Sequence, residues 1–85
     1  MSFGELIAQA GRQRRIVRLK LKSKDGQSLP QSVEFEPYSS REFGGKVSFF
    51  CLDVERFACL NVDLASVVDV EITERRFKPR FPVAF

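Results

Sequence analysis

The chain has no histidine and no tryptophan, and only two cysteines, one methionine and one tyrosine among its 85 residues. Without imidazole, proton transfer near neutral pH would fall to less suitable groups. Tyr38, Ser39, Ser40 and Arg41 offer hydroxyls and a guanidinium, with no activating base nearby in sequence. Asp53 and Glu55 have the spacing of a paired-carboxylate site, and equally that of acids in a hairpin turn. Two thiols and no imidazole make too few ligands for zinc. Cys51 and Cys59 lie in the apolar runs FFCLDV and FACLNV, where reduced, buried thiols are expected and a disulfide is the alternative. Buried thiols are poor nucleophiles. The expectation is a protein that is not an enzyme and uses neither metal nor cofactor.

Long apolar runs are absent too. None approaches the roughly 18 residues of a membrane span, and SFGELIAQAGRQRR lacks the apolar stretch of a signal peptide. The expected setting is the cytoplasm, away from membranes. Gly44-Gly45 reads as a two-glycine turn, with neither the spacing nor the Lys-Ser/Thr ending of a phosphate loop. There is no internal repeat, low-complexity tract or linker.

What is present suits one globular domain. The sequence is 44% hydrophobic, with nine phenylalanines. A chain this small buries only ~60% of its unfolded surface, so its core must be efficient. Charge is unevenly spread. Residues 1–24 carry seven basic groups against Glu5, a balance of +6. Residues 25–74 balance at −7, and residues 75–85 at +4 with no acid. Basic ends suit a polyanion; they equally suit ends folded against an acidic middle.

Ser2-Phe-Gly-Glu5 has the form of a capping box. Phe3, Leu6, Ile7 and Ala10 follow at helical spacing, with Gly11 as the stop, so a short helix is expected within residues 1–14. From Ile16 the period is two: Val17, Leu19 and Leu21 alternate with Arg18, Lys20, Lys22 and Lys24. Asp25-Gly26 signals a hairpin. Val33 and Phe35 alternate with Glu34 and Glu36, Pro37 ends that strand, and Tyr38 to Gly45 reads as an irregular connection. The Lys row and the Glu row would then be cross-strand neighbours. KVSFFCLDV, 46–54, is apolar on both faces and reads as a central strand covered by the interior and by the N-terminal helix. Phe57 to Val62 returns, Asp63 to Ser66 turns, and Val67 to Thr73 alternates again. A short helix and five strands with tight returns describe a mainly β fold, a small, strongly bent antiparallel barrel over residues 15–74. In the tail, 75–85, Pro79 and Pro82 forbid regular sheet.

Taken as a unit, residues 15–80 resemble the WYL-type domain of bacterial transcriptional regulators. The stretches that carry the resemblance are RIVRLKLKSKDGQ, VEFEPYSS, GGKVSFFCLDVERFACLNVDLASVVDVEI and RFKPRF, in that order. The resemblance implies an Sm-like barrel that binds a nucleic-acid species or nucleotide and controls an attached DNA-binding or effector part. The family's aromatic-aromatic-aliphatic triplet falls near Ser48-Phe49-Phe50. Leu64 follows Asp63 where the family usually has arginine, and Asn61 stands where a second basic residue is common. A stand-alone or degenerate member, acting through a partner, is what these departures imply.

Three surfaces are candidates for binding a nucleic acid or nucleotide-like ligand. One is the face of Arg18, Lys20 and Lys22. The second is Tyr38, Ser39 and Arg41, with the tyrosine exposed for stacking. The third is the tail, where Arg75, Arg76, Lys78 and Arg80 interleave with Phe77, Phe81 and Phe85. The same tail also suits packing of its phenylalanines on its own barrel or on a neighbour's. A regulatory binding module is thus one expectation, and a protein-interaction or homo-oligomerising barrel is the other.

Overall fold

The computed structural model describes residues 2–22 and 31–85. Lys24 and the expected Asp25-Gly26 turn lie outside the described residues. Helix α1 spans Phe3–Arg12, and the Ser2 side chain accepts a hydrogen bond from the Glu5 N–H at 3.2 Å. Ile7, Ala10 and Gly11 are buried, while Leu6 is half-buried and Phe3 is exposed at the helix start. Gly11 does not stop the helix. A Cβ there would collide with the Phe85 ring and lie 3.2 Å from the Pro37 carbonyl oxygen, so glycine marks a close approach. The helix ends at Arg12 with Gln13 as its cap, and Arg14 just beyond takes a left-handed φ of 55°.

The strands are β1 (Arg15–Leu21), β2 (Val33–Phe43), β3 (Lys46–Asp53), β4 (Ala58–Asp63) and β5 (Val67–Arg76), with one 3₁₀ turn at Leu64–Ser66. They form a single antiparallel sheet in the order β4-β3-β2-β1-β5. The mainly β architecture with one N-terminal helix is as the periodicities require. The sheet does not close, because no pairing joins β4 to β5. It nevertheless curves around one interior, since Val62 of β4 and Val67 of β5 share a cluster with Ile7, Val17, Leu19, Phe35, Phe49 and Cys51. The helix supplies Ile7 and Ala10 to that inner cluster.

Two expectations are corrected around β2. The strand does not end at Pro37 but runs on to Phe43, paired with β3 throughout, with its register shifting between Pro37 and Ser39. Proline is tolerated in sheets at bulges and at unpaired edges, and both conditions hold. The β1–β2 register covers only Val33, Glu34 and Phe35. Beyond it the edge of β2 meets the tail: the Ala84 N–H donates to the Tyr38 carbonyl at 2.8 Å, and Ser39 pairs with Ala84 in parallel. Gly44 and Gly45, with φ of 59° and 79°, make the expected two-glycine turn, here a hairpin turn, while Tyr38 to Phe43 is strand rather than irregular connection. Two consecutive positive φ values match the right-handed twist of flanking strands and favour glycine at both positions.

The outer face of β3 is the other correction. Leu52, with Phe50 and Val54 beside it, packs against Ile16, Tyr38, Phe77 and Val83. Its cover is therefore the C-terminal segment and not the helix. The prolines keep that segment out of the sheet, and its phenylalanines turn inward: Phe77 is 8% exposed, and Phe85 reaches round to Phe49 at 6.3 Å between ring centroids.

Candidate functional site

Tyr38 is the anchor of the outer layer. The bulge after Pro37 turns its ring under the tail, where it is fully buried. Phe77 and Phe81 meet it edge-on at 5.5 Å and 5.2 Å, geometries favoured by the ring quadrupoles. Its hydroxyl donates to Glu36 Oε1 at 2.6 Å and accepts from the Arg80 backbone N–H at 3.2 Å. Glu36 is buried by the same tail, and the Arg80 Nε stands 3.7 Å from its Oε1. A buried carboxylate is tolerable only with such partners. Tyr38 is thus a packed core ring, not an exposed stacking platform.

Over this anchor lies a cleft of about 450 Å³. Ile16, Val54, Phe77 and Pro79 give it apolar lining, Glu36 supplies one carboxylate, and Arg75, Arg76, Lys78 and Arg80 complete it. All four cations are exposed; Arg75 and Arg76 end β5, and Lys78 and Arg80 lie in the segment that follows it. Arg75 reaches Glu34 at 2.8 Å, and Arg18 spans Glu34 at 3.3 Å and Glu71 at 2.8 Å. Arg18 therefore sits in cross-strand ion pairs, as expected of a basic strand facing acidic neighbours. Such exposed pairs are worth ~0–1 kcal/mol each, so Arg75 can exchange Glu34 for a phosphate at little cost. Arg76 and Lys78 have no ion pair among the described residues.

Ser39 and Arg41 fall elsewhere, in a cleft of about 380 Å³ shared with Ser40, Phe50 and Asn61. Register explains the grouping: Ser39, Phe50 and Asn61 are cross-strand neighbours on β2, β3 and β4. Lys20 and Lys22 are exposed at the far end of β1. The candidates thus divide among separate patches: the four C-terminal cations gather around one concavity, and Ser39 and Arg41 around another.

Cys51 is buried, but Cys59 is exposed, on the outer side of edge strand β4, and both thiols are free. The apolar run around Cys59 hides its position on a strand with one uncovered face. The Asp53 Oδ1 accepts from the N–H groups of Glu55 and Arg56 at 3.0 Å and 3.1 Å, which commits it to the turn. Among the described residues, no three His, Cys, Asp or Glu side chains form a metal-ligating group, and no helix is long and apolar enough to cross a membrane.

Burial, and then the hydrogen bond to Glu36, push the Tyr38 pKa up from 10.0 to about 12. Burial pushes the Cys51 thiol from 9.0 to about 12. At pH values between the ordinary and the raised values, the unfolded chain has lost protons that the folded chain keeps. Stability is therefore complete below the ordinary values and falls as pH rises toward 12. Urea denaturation should give a constant midpoint up to about pH 8.5 and a declining one above it. Tyr38→Phe should make the decline shallower, leaving the share of Cys51; an unchanged slope would show that Tyr38 is not a protonated, buried group.

Sequence reasoning missed two members of the site. Glu36 alternates like an outward acid, and only the tail's path buries it. Phe57 reads as the start of a strand, whereas β4 begins at Ala58. Phe57 sits in the turn with φ 54°, 64% exposed, and the Arg80 guanidinium lies over its ring at 4.7 Å from the centroid.

No protein-family model matches this chain, and no curated protein matches it. Among solved structures, the chain is similar to proteasome accessory factor B/C of Arthrobacter aurescens, with a TM-score of 0.77 and 20% sequence identity. The match covers 94% of this chain and 13% of that one, and at this identity what the two share is a fold.

Proposed function

We propose that this chain is a WYL-like regulatory binding module of the cytoplasm, without catalytic activity, whose ligand is single-stranded nucleic acid. The observation that carries the reading is the gathering of Arg75, Arg76, Lys78 and Arg80 around one cleft that also has apolar lining. Phosphates need cations with few competing partners, and Arg76 and Lys78 meet that need. The fold shared with proteasome accessory factor B/C adds support for a WYL-like module. Binding would be chiefly electrostatic, because the basic pair expected near Asn61 and Leu64 is missing.

The test is charge reversal at Arg76 and Lys78 together. Arg76→Glu with Lys78→Glu should weaken binding of a labelled single-stranded oligonucleotide at low salt by roughly tenfold or more. The melting temperature should hardly move, because both side chains are exposed. Unchanged affinity would remove this cleft from the reading.

A second reading, a protein-interaction or homo-oligomerising barrel, is favoured by β4 and β5 having no partner strand on their outer edges and by Phe43, which is 85% exposed at the hairpin tip. Sedimentation of the purified chain separates the two readings. A stable assembly that does not bind oligonucleotide would favour this one.

A further inference from the structure

We propose that Phe57 is a stacking platform for a base of single-stranded nucleic acid whose phosphates lie against Arg75, Arg76, Lys78 and Arg80. The inference rests on the binding function proposed above and names the aromatic surface that this function needs. The tail's own rings cannot supply it. Phe77 is buried, Phe85 packs on Phe49, and Phe81, though 39% exposed, is held edge-on against both Tyr38 and Phe50. Tyr38 is buried as well.

Phe57 differs from these in three respects. It remains 64% exposed even with Arg80 over its ring. It belongs to the same turn as Val54, which lines the cationic cleft, and it is joined to that cleft's Arg80 by the cation–π contact. Its φ of 54° lies in the left-handed region, which bulky side chains rarely adopt and where Asn or Gly would be easier. The turn's own bonds hold that backbone in place: Asp53 Oδ1 accepts from the N–H groups of Glu55 and Arg56, and the Asp53 carbonyl accepts from the Phe57 N–H. Nothing in the packing requires a large aromatic ring at this position, since most of it faces water. An exposed ring beside a row of cations is the arrangement by which single strands are held: bases stack on the ring while the backbone follows the charges. A guanidinium against the ring extends the stack as arginine does beside bases.

The experiment compares wild type, Phe57→Asn and Phe57→Tyr in binding a labelled single-stranded oligonucleotide, a mononucleotide, and inorganic polyphosphate, which has no bases. Asparagine suits the left-handed backbone, so Phe57→Asn should melt no lower than wild type. It should bind the oligonucleotide about tenfold more weakly, with the salt dependence unchanged, because stacking contributes without releasing counterions. Phe57→Tyr should bind like wild type, and polyphosphate should not distinguish the three proteins. A parallel loss for the mononucleotide would make a free nucleotide the source of the base, and loss for the oligonucleotide alone would make it a strand. Equal oligonucleotide binding by Phe57→Asn and wild type would overturn the platform and leave the cleft standing. No binding by wild type at low salt would remove both.

Discussion

Tyr38→Ala is expected to destabilise the fold by about 3–5 kcal/mol, the range for removing a fully buried aromatic ring. The whole stability of a domain of this size is on the order of 5–10 kcal/mol, so the variant would be close to unfolding. Two effects combine. The ring is the common contact of Phe50, Phe77 and Phe81, so its loss opens a cavity beneath the tail. Its hydroxyl is also the short partner of buried Glu36, whose other partner among the described residues, the Arg80 guanidinium, is at 3.7 Å. Tyr38→Phe separates these effects: it keeps the ring and deprives the carboxylate of its donor, for roughly 1–3 kcal/mol. Phe43→Ala, at a site 85% exposed, should change stability by less than about 0.5 kcal/mol and serves as the control. Urea denaturation of the three variants gives the comparison. If Tyr38→Ala lay within about 1 kcal/mol of wild type, the tail would not be packed on the sheet.

The elements that sequence periodicity reveals are those with one dominant face. Val17, Leu19 and Leu21 alternate with charges, and Phe3 to Ala10 follow the helical period behind a serine cap, so β1 and α1 are legible. The central position of β3 is equally legible, because apolar residues on both faces require two covers. Which segment provides the second cover is not. A proline-punctuated tail has no period, and its inward phenylalanines are indistinguishable in sequence from exposed ones. The misplacement of Tyr38 follows from the same gap. Pro37 reads as a strand end unless the edge beside it is known to be unpaired and later filled by Ala84. Gly44-Gly45 is legible as a two-glycine turn, and the structure places it between Phe43 and Lys46; what the sequence hides is that strand continues up to it. In the site itself, the basic residues of the tail were visible as a run of charge. Their convergence with Val54, Ile16 and Phe57 was not, because it depends on how the turn after β3 meets a segment more than twenty residues later.

The most direct test of the central claim is the salt dependence of wild-type binding to a labelled single-stranded oligonucleotide. Each phosphate neutralised releases condensed counterions, so log affinity falls against log salt with a slope near −0.7 per contact on single strands. Four cations line the cleft, and Arg75 and Arg80 are partly engaged by Glu34 and Glu36. About three phosphate contacts are therefore expected, a slope near −2 and about a hundredfold loss of affinity across a tenfold rise in salt. A residual affinity insensitive to salt would be the share of base stacking. Binding at micromolar protein in low salt with that slope is the predicted result. No binding at low salt up to tens of micromolar protein would contradict it, and would make the basic tail a complement to the chain's own acidic middle.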